Sequence, residues 1–322
     1  MNFEWSLHHG NDQEWSELLD LFSCNTYLQD SAWSNVMSEE KWVIKRWVCM
    51  EAGSPVALIQ SFLKVYPFKV GIVWIPDWIL GDYKYGLNFD KFLSQNLKLN
   101  FLYLRFRSNH SYNSNEHILL LTQGWVQPSK KLSSSLNMEL SLIPSIEEIE
   151  SGASKNWKRN LMRSRRSESI ICRVTDPEII VSMYEELQSI KNIKVGFSKR
   201  QIRNIVKFYK DQLVVFGAKD EFGNFIAIRG AIIYQDKAID IFAATTKKSR
   251  KIYTSYNLFI HLVAFCKSCG CVSYDLNGVD PVVNIGVYNF KKGTGASLES
   301  QLGEFEGFNS KFLGYIINLY LK

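Results

Sequence analysis

The stretch from Val214 to Leu276 does most to limit what this chain can become. Val214–Lys219, Ala227–Gln235 and Ala238–Thr245 are short runs rich in β-branched and apolar residues, separated by turns at Glu221–Asn224 and Gln235–Lys237. They read as three consecutive strands. Ser255–Ser268 then carries a helical pattern, and Val272–Leu276 reads as one more strand. Upstream, Ser145–Arg166 reads as helical in two pieces, with Ser145 and Glu148 spaced as a capping box. Asp176–Ile190 and Lys199–Lys210 read as amphipathic helices. Helices, a strand meander, then helix and strand imply a mixed α/β sheet.

The first half repeats that order. A helix near Glu14–Cys24 precedes strands at Lys41–Met50, Pro55–Val65 and Gly71–Ile75, a helix at Asn88–Lys98 and a strand at Phe101–Phe106. SNHSYNSNEH, Ser108 to His117, reads as a polar loop. With 322 residues and 46% hydrophobic content, the chain suits two domains with packed cores. MNFEWSLHHGNDQEW lacks the apolar run of a signal peptide. Pro76 and Asp77 interrupt the most apolar window, Val70 to Leu80, which is too short to span a bilayer. A cytosolic protein is expected, with contact to a membrane surface left open.

The net charge of +6 is too small to identify a partner, so its placement matters more. In SKNWKRNLMRSRR, Lys155, Arg159, Arg163 and Arg166 recur at helical spacing on one face, with only Glu168 as a nearby opposite charge. Such a face is either solvated or meets a phosphate backbone. KKSRK, Lys247 to Lys251, is a second basic patch, read as a loop between a strand and a helix. Cys266, Cys269 and Cys271 read as small hydrophobes rather than a zinc site, because no further ligand cluster accompanies them. The six cysteines are expected to be reduced, and His261 to be a packed helix residue. No metal or cofactor is expected.

The chain carries no G-x-S-x-G, H-E-x-x-H or P-loop signature. In YDLNGVDPVVNIGVYNFKKGTG the lysines precede the glycines and no helix pattern follows closely, which excludes a P-loop. The reading here is a strand ending at Asp275, a loop through Asp280, and a return segment carrying Phe290 and Lys291.

Several segments together resemble the Fem family of aminoacyl-tRNA-dependent transferases. They are Gln29 and Trp33 in LQDSAWSNV, KVGIVWIPDWILGD, LYLRFRSN, MELSLIPSIEEI with the basic helix, YDLNGVD, and the run Tyr288, Phe290, Lys291 and Gly293. Their order and spacing carry the resemblance, rather than any single one. It implies two tandem GNAT-like (acyl-CoA N-acyltransferase-like) domains in an α/β fold without a coiled-coil arm. The first would span 1–140 on the acceptor side and the second 141–302 on the acyl-donor side, with 303–322 returning to the first. The implied reaction is transfer from an aminoacyl-tRNA to an amino group of a cell-envelope precursor, a muropeptide or amino sugar.

The same resemblance assigns Lys291 to the charge forming on the ester and Phe290 to the tRNA 3′ end. A fixed ammonium stabilises a tetrahedral oxyanion more than the neutral ester, and an aromatic ring stacks on a base or ribose. The bland alternative is a packed Phe290 and a solvated Lys291. Asp275 and Asp280 are alternatives for the general base. The tRNA-binding candidates are Lys155, Arg159, Arg163, Arg166, Lys247, Lys248, Arg250 and Lys292; the acceptor-side candidates are Trp33, Asp77, Trp78 and Arg105. Where the family carries a lysine four residues after its tryptophan, this chain has Met37, which puts a nucleotide-sugar pyrophosphate contact in doubt. One rival is a CoA- or carrier-dependent acyltransferase in surface-polysaccharide synthesis. KKSRKIYTSYN, at the place of the pyrophosphate loop, lacks the glycines that would favour it. The other is an RNA-binding module without chemistry.

Overall fold

A computed structural model describes residues 3–22, 26–167, 169–191, 196–310, 314 and 317. The chain divides into two compact units, Met1–Ser135 with Ser300–Lys322, and Leu136–Glu299. In chain order the first unit contains β1 (Phe3–Leu7), α1 (Asp12–Leu19), α2 (Ser31–Glu39), β2 (Val43–Glu51), β3 (Ser54–Tyr66), β4 (Val70–Ile75), β5 (Leu80–Gly81), α3 (Phe89–Asn96), β6 (Phe101–Ser111) and α4 (Ser114–Thr122). The second contains β7 (Leu136–Ser141), α5 (Ile146–Gly152), α6 (Lys155–Arg165), β8 (Ile170–Arg173), α7 (Pro177–Lys191), α8 (Lys199–Phe208), β9 (Leu213–Lys219), β10 (Phe225–Tyr234), β11 (Lys237–Thr245), α9 (Lys247–Lys251), α10 (Thr254–Ser268), β12 (Ser273–Gly278) and α11 (Ile285–Gly293). The strand β13 (Ser297–Phe308) then returns the chain to the first unit.

Both units follow one plan. In the second, β9, β10 and β11 form an antiparallel meander. The chain crosses through α10 to β12, parallel to β11, and β7 lies antiparallel on the far side of β12. In the first, β2, β3 and β4 form the meander, α3 leads to β6 parallel to β4, and β13 lies antiparallel on β6. The fold is mixed α/β, with no coiled-coil arm among the described residues.

The units differ at their parallel pairs. β4 and β6 stay in register from Val70↔Phe101 to Ile75↔Phe106. Beside them Trp78 stacks on Phe106 at 3.8 Å, and Phe89 and Trp125 close the core around both rings. β11 and β12 pair only from Lys237↔Ser273 to Ile239↔Asp275 and then part, although each strand continues. A register shift at Gly230/Ala231 kinks the β10–β11 ladder at the same level.

Five expectations about the elements need correction. The polar loop at Ser108–His117 is instead the end of β6 and the start of α4. Asn113 caps that helix by accepting from Asn115 N, and the leucines of HILLL extend it. β12 does not stop at Asp275 but runs to Gly278. The return segment with its two lysines is the helix α11, and KKSRK is the short helix α9, capped by Thr246. The helix read to Cys24 ends at Leu19, and Cys24 lies outside the described residues.

Candidate active site in the second unit

Where β11 and β12 part, each strand exposes backbone groups that the other would have paired, and buried groups of this kind need partners. Side chains supply them. The Asn277 amide, on a left-handed residue with φ 63°, donates to the Asp240 carbonyl across the gap. The Ala243 N–H donates to the Tyr184 hydroxyl of α7 at 3.1 Å. On the β12 side, Lys291 Nζ donates to the carbonyls of Gly278 at 3.0 Å and Asn277 at 3.3 Å. Asp275 fixes that turn, accepting at Oδ1 from Asn277 N at 2.7 Å and from Asn137 Nδ2 at 2.9 Å.

The parting opens a cavity of about 520 Å³ within this unit. Ile228 and Arg229 of β10 and Asp240, Ala243, Ala244 and Thr245 of β11 form one wall. Leu187, Arg250, Ser255, Tyr256 and Leu258 come from the helices, and Asn284, Gly286, Val287, Phe290 and Lys291 from the approach to α11 and that helix itself. A cavity with mostly apolar walls and a few fixed polar groups is the usual form of a small-molecule site.

A buried ion pair lies in its wall. Arg229 Nη2 and Nε donate to the two Asp240 oxygens at 2.8 and 3.1 Å, and the Tyr274 hydroxyl donates to Asp240 Oδ1 at 2.8 Å. Burial, then the Asp240 charge, pushes the Tyr274 phenol well above its ordinary value, so it remains a donor. The Arg229 guanidinium lies 4.7 Å from the Phe259 ring centre and 5.1 Å from that of Phe290. Phe290 also meets Tyr256 edge-on at 5.0 Å and Trp157 of α6 at 6.0 Å. Its ring is thus fixed by a cation and by aromatic edges.

Lys291 is 8% exposed. Burial lowers its pKa from the ordinary lysine value, Asp240 and Asp275 work against that shift, and Arg229 adds to it. Two of its three N–H donors are spent on carbonyls, and the third has no partner among the described residues. Gly293 ends the helix where a side chain cannot fit. A Cβ there would lie 2.7 Å from Trp157 Cδ1, and its carbonyl accepts from Ser154 N at the start of α6.

The other predicted residues divide by position. Asp275 borders Lys291 but its carboxylate is engaged in bracing the turn. Asp280 is outside the cavity. Backbone N–H groups of Val283 and Val282 hold its carboxyl below the usual range, so it is a turn cap and a poor base. Lys155, Arg159, Arg163 and Arg166 share an exposed face of α6. Arg163 donates to the Tyr253 hydroxyl at 3.2 Å, just before α10. Arg165 leaves that patch by pairing with Glu150, while Glu168 lies outside the described residues. Arg250 lines the cavity, and Lys247 and Lys292 are exposed. Lys248 is bound to Glu221 and Asp220, which raise its pKa and neutralise it locally.

In the first unit, Asp77, Trp78 and Arg105 are buried: Asp77 accepts from Thr26, Trp78 packs in the core, and Arg105 pairs with Glu304. None of the three presents a surface to an acceptor. Trp33 is half-buried against Tyr27, and Met37 points into the core. Cys266 and Cys271 are buried, Cys269 is exposed, and His261 is exposed rather than packed, with its ring edge-on to Phe216. Sequence reading missed Arg229 and Asp240. The available signal was one charge in the middle of each of two apolar strands, AIRGA and AIDIF.

Residues 198–322 match the FemAB family model. No curated protein matches the chain. Among solved structures, the fold is similar to a crystal structure of FemX, with TM-score 0.81 at 13% identity over 97% of this chain and 100% of that one. It is also similar to a tandem GNAT protein from the clavulanic acid biosynthesis pathway, TM-score 0.59 at 12% identity, covering 96% and 99%. L-PGS from Bacillus licheniformis gives 0.55 at 14% identity, covering 96% of each chain.

Proposed function

We propose, from the premise that this chain is a Fem family transferase with a GNAT-like fold, that it transfers an aminoacyl group from an aminoacyl-tRNA to an amino group of a cell-envelope precursor. The observation that carries this reading is Lys291, a buried ammonium with one unspent donor on the wall of a cavity that also presents Phe290. The aminoacyl ester would enter beside Phe290. The acceptor nitrogen adds to the ester carbon, and the carbonyl oxygen becomes an oxyanion. A fixed ammonium favours that oxyanion over the neutral ester, which lowers the barrier. Collapse of the intermediate forms the C–N bond and breaks the ester C–O bond. The departing ribose oxygen takes the proton that the amine gives up. This route needs no carboxylate base, in keeping with the bracing role of Asp275.

The exposed cations of α6 and the cavity-lining Arg250 suit the phosphates next to such an ester. The acceptor would be held by the first unit, with Trp33 as its remaining candidate contact. The test offers purified protein charged tRNA or acetyl-CoA, each with muropeptide and amino-sugar acceptors. Amide product from charged tRNA alone is expected. Turnover of acetyl-CoA with none from any aminoacyl-tRNA would overturn the reading in favour of a CoA-dependent enzyme.

A further inference from the structure

At one end of the first unit's sheet, β3 turns into β4 through Tyr66-Pro67-Phe68-Lys69. Phe68 and Lys69 are consecutive non-glycine residues in the left-handed region, at φ 61° and 57°. That conformation is costly for any residue with a Cβ and suits glycine. It is held by Asn100, whose side chain donates to the Phe68 carbonyl at 3.1 Å and whose backbone N–H donates to the Lys69 carbonyl at 3.1 Å. The fold thus fixes an aromatic residue in a strained turn and leaves it 85% exposed.

The ring does not stand alone. Tyr66 pairs with Val70, and Val70 with Phe101, so these three side chains lie in one row on one face. Tyr66 is 48% and Phe101 42% exposed. The segments that build this end, KVYPFKV from Lys64 and LKLNF from Leu97, contain three lysines and no acid. Aromatic rings at a protruding tip, with lysines beside them, match the apolar-to-anionic gradient at the edge of a bilayer. No helix among the described residues is long and apolar enough to cross a membrane. We propose that this hairpin tip docks the protein reversibly on an anionic membrane surface, with Phe68 inserting among the headgroups and Lys64, Lys69 and Lys98 over them. The proposal stands independently of the acyl-transfer reading.

Vesicle flotation of the full chain tests it, comparing pure phosphatidylcholine with vesicles containing roughly one-third phosphatidylglycerol. Salt-sensitive binding to the anionic vesicles is expected. Phe68→Gly removes the ring and relaxes the left-handed residue, so it should keep or raise Tm while weakening partition roughly tenfold. Lys69→Gln should weaken binding about fivefold on anionic vesicles and have little effect on neutral ones. The proposal is overturned if the parent stays unbound on both vesicle types, or if Phe68→Gly floats like the parent. It is equally overturned if the parent forms oligomers in solution that Phe68→Gly disperses, since the tip would then face a second copy of the chain.

Discussion

In the first unit the parallel strands β4 and β6 stay paired along the whole of β4, and Trp78 packs against Phe106 beside them. In the second, β11 and β12 part after Ile239↔Asp275, and polar side chains take up the backbone groups left open. Each unit also buries an arginine–carboxylate pair, Arg105–Glu304 in one and Arg229–Asp240 in the other. One topology therefore serves two purposes. A continuous ladder needs no polar side chains in its gap and gives an inert core. A parted ladder requires them, and one of the groups recruited is the buried amino group of Lys291.

The largest expected effect tests the two ion pairs against each other. Arg105→Met and Arg229→Met each leave a buried carboxylate unpaired and should cost about 3–5 kcal/mol in denaturant unfolding. Removing the partner as well, in Arg105→Met/Glu304→Leu and Arg229→Met/Asp240→Leu, should restore only part of that stability, because Leu132 N and Ser133 N lose their acceptor in the first and the Tyr274 hydroxyl loses its acceptor in the second. Transfer should recover only in the first double variant, because the second removes the guanidinium that fixes Phe290. Equal recovery in both would erase the contrast between the units.

A smaller effect, confined to chemistry, is expected at Lys291. Lys291→Gln should lower kcat by roughly 10²–10³, as for loss of an oxyanion donor, with little change in Tm. Its folded pKa is depressed, so the ammonium is lost as pH rises through a value below the ordinary 10.5. Stability has the opposite sign: the folded state prefers the neutral amine, so stability gains as pH rises over the same window. A rate profile whose alkaline limb is the same in parent and Lys291→Gln would remove Lys291 from the step.

The smallest effect separates partners. Charge reversal at Arg159 and Arg163 should reduce the slope of log K against log salt for tRNA binding by roughly one for each phosphate no longer neutralised. Lys69→Gln, in the other unit, should leave that slope unchanged. A change with Lys69→Gln would extend the RNA footprint into the first unit.

The strand meanders and α10 were legible because their apolar residues recur at strand or helix period and turn residues bound them. α11 was not. Gly286 and a β-branched approach obscure its period, and it buries only Lys291 and Gly293 fully, so no apolar stripe marks it. β13 was missed because Glu304 and Glu306 alternate with Phe305 as on a half-solvated strand. Both carboxylates are in fact buried, spent on Arg105 and on the Tyr103 hydroxyl. Phe290 and Lys291 were named through resemblance. The Arg229–Asp240 pair beside them depends on a register between β10 and β11 that no local pattern specifies.

The first unit is discontinuous in sequence, and this has a consequence for its synthesis. Arg105 and Glu304 are 199 positions apart, with the whole second unit encoded between them. At roughly 5–20 residues per second, β6 leaves the ribosome about ten to forty seconds before β13 exists to cover its edge. The second unit, contiguous from Leu136 to Glu299, can complete its own sheet in that interval. Newly made chains should therefore pass through a state in which the second unit is folded while the β6 edge of the first is still open to chaperones or to pairing with a neighbouring chain.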